Sequence, residues 1–192
     1  MKMVKDKKLL VGADVAGFYL KEAICEHLRK KGWEITDIGA KTIDDTDVEM
    51  FHRMAIRVAS KVHEKEFERA MVFCGTGMGV HMAANKVPGI HCAVVESVPA
   101  ALRAITGNGV NMMALGGHYI SHQMGIEIAE AFLNNSIGKG YEWWPNFKEF
   151  HQLAIDEMDA FDYDEYKANG FVFKKLGDVD LPYDAINEKE DE

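Results

Sequence analysis

The sequence predicts an α/β fold, a three-layer αβα sandwich around a five-stranded parallel sheet. Three observations predict it. Short apolar runs alternate with stretches of helical periodicity between residues 8 and 133, the pattern of a parallel sheet covered by helices on both faces. The central run, Ala70 to Phe73, leads straight into Cys74-Gly75-Thr76-Gly77-Met78-Gly79, a turn with glycine at every second position that continues as a helix. Asp14, Cys74 and Gly116-Gly117 all fall just beyond strands, at the end where open parallel sheets bind ligands.

Each element follows from local pattern. Leu9-Leu10-Val11-Gly12 is a short buried strand ending at Ala13-Asp14. Phe18, Leu20, Ala23, Ile24, His27 and Leu28 recur at helical spacing until Lys30-Lys31-Gly32, a basic end closed by glycine. Trp33 to Ile38 alternates as a second strand, and Gly39 to Asp47 is a polar loop. A helix over about Val48 to Val62 carries Phe51, Met54, Ala55, Val58 and Val62 on one side. After the central strand and a helix on Val80 to Lys86, Val87-Pro88-Gly89 turns into a strand over Ile90 to Val95. A helix from Ala100 to about Thr106 ends at Gly107-Asn108-Gly109, and Asn111 to Leu115 is the fifth strand. Ser121 caps a helix reaching Leu133. These elements make a Rossmann-like sheet with right-handed crossovers. Beyond Tyr141 the pattern changes to Glu142-Trp143-Trp144-Pro145-Asn146-Phe147, a helix over about Lys148 to Phe161, and an acidic arm with aromatic anchors that frays after Ala185.

Composition excludes several classes. With 192 residues, 47% hydrophobic and 28% charged, the chain reads as globular with a sizeable core. No apolar run approaches the length of a membrane span, and Leu9-Leu10-Val11 is too short for a signal peptide, so a cytoplasmic protein is expected. Of the 31 acidic and 22 basic side chains, 13 and 4 lie in residues 156–192, which therefore carry the whole net charge of −9. The rest is neutral overall and offers no basic face for nucleic acid. The three cysteines, Cys25, Cys74 and Cys92, form neither a CxxC motif nor a disulfide framework. Cys25 and Cys92 sit in apolar periodic segments and read as core. Cys74 alone stands beside the glycine turn.

That turn brings backbone N–H groups and a helix N-terminus to one place, an anion-stabilising pocket with a thiol at its lip and the Thr76 hydroxyl inside. By itself it fits nucleotide binding, phosphate binding or close packing equally. Neither G-x-G-x-x-G nor G-x-x-x-x-G-K-[ST] is present, which lowers the nucleotide reading. His81 and His118 neighbour site residues and read equally as ligand contacts or structural histidines; His52 and His91 read as structural or surface groups. His118 and His122 are spaced as a metal pair, but no third ligand accompanies them and a helix-cap hydrogen bond accounts for them better. Trp143 and Trp144 read as packing.

The whole set is more specific. Cys74-Gly-Thr-Gly-Met-Gly-Val-His-Met-Ala-Ala-Asn-Lys-Val-Pro-Gly89 resembles the signature of the ribose-5-phosphate isomerase B / galactose-6-phosphate isomerase family, as do Val11-Gly-Ala-Asp14-Val-Ala-Gly-Phe18, Leu20-Lys21-Glu22 and Asn111-Met-Met-Ala-Leu-Gly-Gly117. The resemblance covers about residues 8–140. It implies an isomerase domain over 1–140 and a C-terminal extension over 141–192 that packs on the domain or a neighbouring subunit. It implies aldose–ketose isomerisation of a sugar phosphate, of ribose-5-phosphate/ribulose-5-phosphate type, through a cis-enediolate, with neither metal nor cofactor. Cys74 would be the base; a thiol, ordinarily near pKa 8.5, is a better one where a helix N-terminus lowers that value. Thr76 would assist ring opening, Asp14 would hold sugar hydroxyls, and Gly75, Gly77 and Gly79 would supply oxyanion donors. His81, Asn108 and His118 complete the expected substrate contacts. A homodimer or homotetramer with shared sites is implied.

Five positions depart from the family pattern. Val15 and Gly107 replace histidines, the latter linked to ring opening, and His118, Tyr141 and Pro145 replace arginines. Those arginines and histidines usually hold phosphate, and a guanidinium fork is not easily replaced. Two alternatives follow: an isomerase of an unphosphorylated or carboxylated sugar, or a partner-dependent subunit of a hetero-oligomeric isomerase.

Overall fold

The structure, a computed structural model, describes residues 6–180; the expected fraying after Ala185 lies outside the described residues. Five strands, β1 (Lys8–Ala13), β2 (Glu34–Asp37), β3 (Ala70–Cys74), β4 (Cys92–Val94) and β5 (Met112–Gly116), form one sheet in the order β2-β1-β3-β5-β4. All pairings are parallel. The helices are α1 (Phe18–Lys30), α2 (Phe51–His63), α3 (Met78–Ala84), α4 (Val98–Asn108), α5 (His122–Leu133), α6 (Phe147–Asp159) and α7 (Tyr163–Ala168).

The pleat divides the core. Leu9 and Val11 of β1, Phe73 of β3 and Leu115 of β5 meet Leu20, Ile24 and Leu28 of α1, Ile105 of α4, and Ile128 and Phe132 of α5. Leu10, Val72 and Ala114, one residue along each strand, face the opposite layer, where Met54, Val58 and Val62 of α2 and Val80 and Ala84 of α3 cover them. Both strand faces are therefore apolar, which is why β1, β3 and β5 read as continuous hydrophobic runs. Burying each Leu, Ile or Phe side chain stabilises the fold by about 1.5–3 kcal/mol.

Several bounds differ from the sequence reading for local reasons. Helix α3 starts two residues before Val80, because Gly77, at φ +76°, completes the turn as its N-cap. Strand β4 is shorter than Ile90 to Val95. Side chains take over pairing at its start: Asn85 Oδ1 accepts from Cys92 N–H (2.8 Å) and Asn111 Oδ1 from His91 N–H (2.9 Å). Helix α7 was not foreseen; Asp162 caps it by accepting from Glu165 N–H at 2.7 Å. Lys21, fully buried, ties α1 to the segment after β2 through Asp37 Oδ2 (2.6 Å) and the Ala40 carbonyl (2.5 Å).

The extension packs at the amino edge of the sheet. Tyr141 and Phe147 stack with centroids 4.2 Å apart, and the Arg103 guanidinium of α4 lies 5.0 and 5.1 Å from their centres. Ile155 of α6 closes on Gly109, and Asp159 Oδ1 lies 2.9 Å from His91 Nε2. This puts α6 away from Cys74, which stands at the carboxyl edge. Among the described residues no helix is long and apolar enough to cross a membrane.

Candidate active site

Strand order places a crevice. From β1 the chain crosses through α1 to β2 on one flank, while β3 pairs on the other. The order of strand addition reverses between β1 and β3, and at their carboxyl ends a ligand has room to enter. Asp14 ends β1, and Cys74 ends β3.

The loop after β3 is held by its own groups. Cys74 is buried at 6% exposure, and its Sγ accepts from Gly77 N–H at 3.1 Å. Thr76 Oγ1 accepts from Met78 N–H at 3.2 Å. Of the three glycines expected to cradle an oxyanion, Gly77 therefore turns its N–H to the sulfur; the first-turn N–H groups of Gly79 and Val80 have no acceptor within their helix. The pairing of β3 with β5 runs on past the strands, with Gly117 N–H to the Cys74 carbonyl at 2.8 Å and His118 N–H to the Gly75 carbonyl at 2.9 Å. The three turns interlock. A Cβ on Gly117 would meet the Ala16 carbonyl oxygen at 2.4 Å, and one on Gly116 the Thr76 backbone at 2.7 Å.

The side chains converge on this loop. Asp14 Oδ1 accepts from Gly17 N–H at 3.0 Å. Burial pushes its carboxyl above the ordinary carboxylate value, against lowering by the Gly17 and Ala16 amides and by the charge of His118. The His118 ring covers Gly75, so that a Cβ there would lie 2.5 Å from Nε2 and 2.7 Å from Cδ2. The structure thus brings Asp14, Cys74, Gly75, Thr76, Gly77, Gly79 and His118 together. His81 stands half-buried on α3, four residues past Gly77.

Asn108 is not brought there. It ends α4 at the amino edge, about a strand length, roughly 17 Å at the usual rise per residue, from the carboxyl edge. The reason is topological: a crossover helix returns the chain to the edge where the next strand begins. Sequence reasoning assigned Phe51 only to a helix core face. Its ring lies where a Cβ of Gly79 would be, at 2.6 Å, and walls the loop. Two of the departing positions are occupied otherwise: the Arg103 side chain lies over Gly107, and Tyr141 is stacked within the extension. Among the described residues no three His, Cys, Asp or Glu side chains gather as a metal site.

The fold is a doubly wound α/β sheet with a thiol-bearing glycine loop at its switch point, and comparison with known proteins identifies the family. Residues 9–143 match the Ribose/Galactose Isomerase family model, and the chain belongs to that family. It is 38% identical over 160 residues to the 4-deoxy-4-sulfo-D-erythrose isomerase of Clostridium sp. (strain MSTE9), covering 83% of this chain and 98% of the relative. It is 32% identical over 137 residues to the D-erythrulose-4-phosphate isomerase 2 of Mycolicibacterium smegmatis, covering 70% and 86%. The ribose-5-phosphate isomerase B structure from Clostridium thermocellum superposes with a TM-score of 0.70 at 29% identity, covering 84% of this chain and 99% of that one. The protein is a sugar isomerase of this family.

Proposed function

We propose that this isomerase interconverts a four-carbon aldose carrying an acidic group on C4 with its ketose, through a cis-enediolate and with Cys74 as the base. One observation carries the reading: the Cys74 sulfur, 3.1 Å from the Gly77 amide, heads the glycine loop with Asp14, Thr76 and His118 at its mouth. The base must take a C–H proton next to a carbonyl while donors meet the developing oxyanion. The Gly79 and Val80 amides, which have no acceptor within α3, suit that second task.

Two lines support the substrate. The relatives noted above act, by their names, on a sulfo-erythrose and an erythrulose phosphate. An aldotetrose whose C4 is blocked has no hydroxyl able to close a five-membered ring, so it reacts as the open chain and needs no ring-opening histidine. That agrees with Gly107 at the position the resemblance gives to that histidine. A five-carbon sugar phosphate is the second reading, favoured by the likeness to ribose-5-phosphate isomerase B.

The reading includes a homodimer or homotetramer, in which Asn108, at the amino edge of its own sheet, would meet the Cys74 site of a second copy. It also includes a reducing compartment such as the cytoplasm, which suits three unpaired thiols. Proton NMR in heavy water tests the proposal with 4-deoxy-4-sulfo-erythrose, erythrose 4-phosphate, ribose 5-phosphate and unphosphorylated controls. Deuterium entering a C4-acid tetrose, abolished by Cys74→Ala, is the expected result. Exchange confined to ribose 5-phosphate moves the assignment to the second reading, and a fully active Cys74→Ala removes Cys74 as base.

A further inference from the structure

The base alone does not complete an isomerisation. Moving the carbonyl from C1 to C2 shifts one hydrogen between carbons and a second between oxygens, so a second group must serve the oxygens. The geometry points to His118 as that group, a catalytic residue that carries a proton between the two substrate oxygens.

Its position is built rather than incidental. The His118 amide is tied to the Gly75 carbonyl (2.9 Å), and the residue before it to the Cys74 carbonyl (2.8 Å). The backbone that carries the ring is thereby anchored to the same loop as the sulfur. It occupies the space a Cβ of Gly75 would need, and glycine at 75 is what admits it. The ring is near enough to Asp14, at the end of β1, for its charge to act on that carboxyl, while Cys74 lies on the β3 side and Tyr119 is its neighbour along the chain. Of the groups at the mouth, Asp14 is engaged with the Gly17 amide and Thr76 with the Met78 amide. Imidazole alone among them both gives and takes a proton readily near neutral pH.

The step balances. Cys74 thiolate takes the C2 proton, the C–H pair becomes the C1–C2 double bond, and the C1 carbonyl pair moves to O1, which takes a proton from the His118 imidazolium. The neutral ring then removes the O2 proton, the O2 pair forms the new carbonyl, and C1 recovers the proton from the Cys74 thiol. Thiolate and imidazolium are both restored.

The inference rests on the proposed isomerase reading, and one experiment separates the two. His118→Gln and His118→Ala are compared with the native chain on its best substrate, following kcat, KM, the pH profile and the rescue of His118→Ala by added imidazole. Iodoacetamide labelling of Cys74 checks that the loop is intact. The expected result is a kcat about 10²-fold lower, a KM within about threefold, loss of one limb of the pH profile, and recovery with imidazole. A raised KM at native kcat would show that the ring only holds substrate, and overturns the assignment. So does native kcat in both variants, or a fall in kcat with neither rescue nor a changed pH profile. A native chain inert toward the whole panel overturns the isomerase reading and this inference with it.

Discussion

The place of His118 over Gly75 gives a perturbation whose structural and chemical effects separate. Gly75→Ala adds one methyl group, 2.5 Å from His118 Nε2 and 2.7 Å from Cδ2, with Ala16 Cβ at an ordinary 3.5 Å. Gly75 is not among the glycines at positive φ, so alanine is not strained there, and the lost backbone entropy of the unfolded chain favours it by about 0.4–1 kcal/mol. The clash is with the far end of an exposed side chain, which relieves it by rotating into solvent at about 0.5–1.5 kcal/mol. These terms nearly cancel, so Tm should move by no more than about 3 °C. Turnover should nonetheless fall about 10²-fold, or about 2.7 kcal/mol of transition-state stabilisation, because the imidazole has left the mouth. Steady-state kinetics on Gly75→Ala, His118→Ala and the double variant decide the matter: if one ring underlies both losses, the double variant is no slower than His118→Ala. Gly117→Ala is the control, since its methyl would meet backbone, the Ala16 oxygen at 2.4 Å, and should cost stability outright. Native kcat in Gly75→Ala, or losses that multiply in the double variant, would refute the reasoning.

Other perturbations test neighbouring parts. Burial holds the Asp14 carboxyl above its ordinary value, so its contribution to stability is present below the unfolded value of 3.8 and is lost as pH rises through the folded one. Asp14→Asn should therefore be at least as stable as the native chain at pH 7 in urea titration while losing turnover, and a clear destabilisation would count against this. Burial pushes the Cys25 and Cys92 thiols up to about 12; mass spectrometry after brief alkylation at pH 8 should find Cys74 modified first. If sites are shared, mixing inactive Cys74→Ala with inactive Asn108→Ala should restore about a quarter of native activity per site in a randomly mixed dimer with two sites, since a native site needs Cys74 from one copy and Asn108 from the other; no recovery after subunit exchange would put Asn108 outside the site.

Much of this architecture could be read from pattern because the physics is local. A strand buried on both faces must be apolar along its length, as Met71-Val72-Phe73 is, and a glycine turn between such a strand and a helix marks a ligand end. Strand order was not legible: nothing in Asn111-Met112-Met113 says that β5 lies between β3 and β4. The short β4 was masked for the same reason, since the side chains of Asn85 and Asn111 that replace its first partners come from elsewhere in the chain. At the site, Cys74, Thr76 and Asp14 were recognisable from motif. The use of the Gly77 amide for the sulfur was not, because it depends on where the turn folds back. Nor was the Phe51 wall, a contact between α2 and α3. Asn108 shows the converse limit, a motif residue that the fold carries to the opposite edge of the sheet from Cys74.

The loop and the recognition end differ in how freely they can change, and this explains why one matches the family and the other does not. Around Cys74 each glycine is required by a different neighbour: Gly75 by the His118 ring, Gly79 by the Phe51 ring, Gly116 by the Thr76 backbone and Gly117 by the Ala16 carbonyl. A side chain at Gly116 or Gly117 would displace the backbone of another turn, and one at Gly75 or Gly79 a ring that lines the loop. Recognition of a terminal acid needs only donors of the right charge within reach, and these can come from different residues without moving the backbone. Positions 107 and 141 are taken up otherwise in this chain: Arg103 covers the first, and the second stacks on Phe147 of α6. A substrate that is shorter and never cyclises asks less of the distal end and the same of the base. On the proposed substrate the arginines and the ring-opening histidine are dispensable while the thiol and its glycines are not, and His118, which stands where one of those arginines would, lies over Gly75.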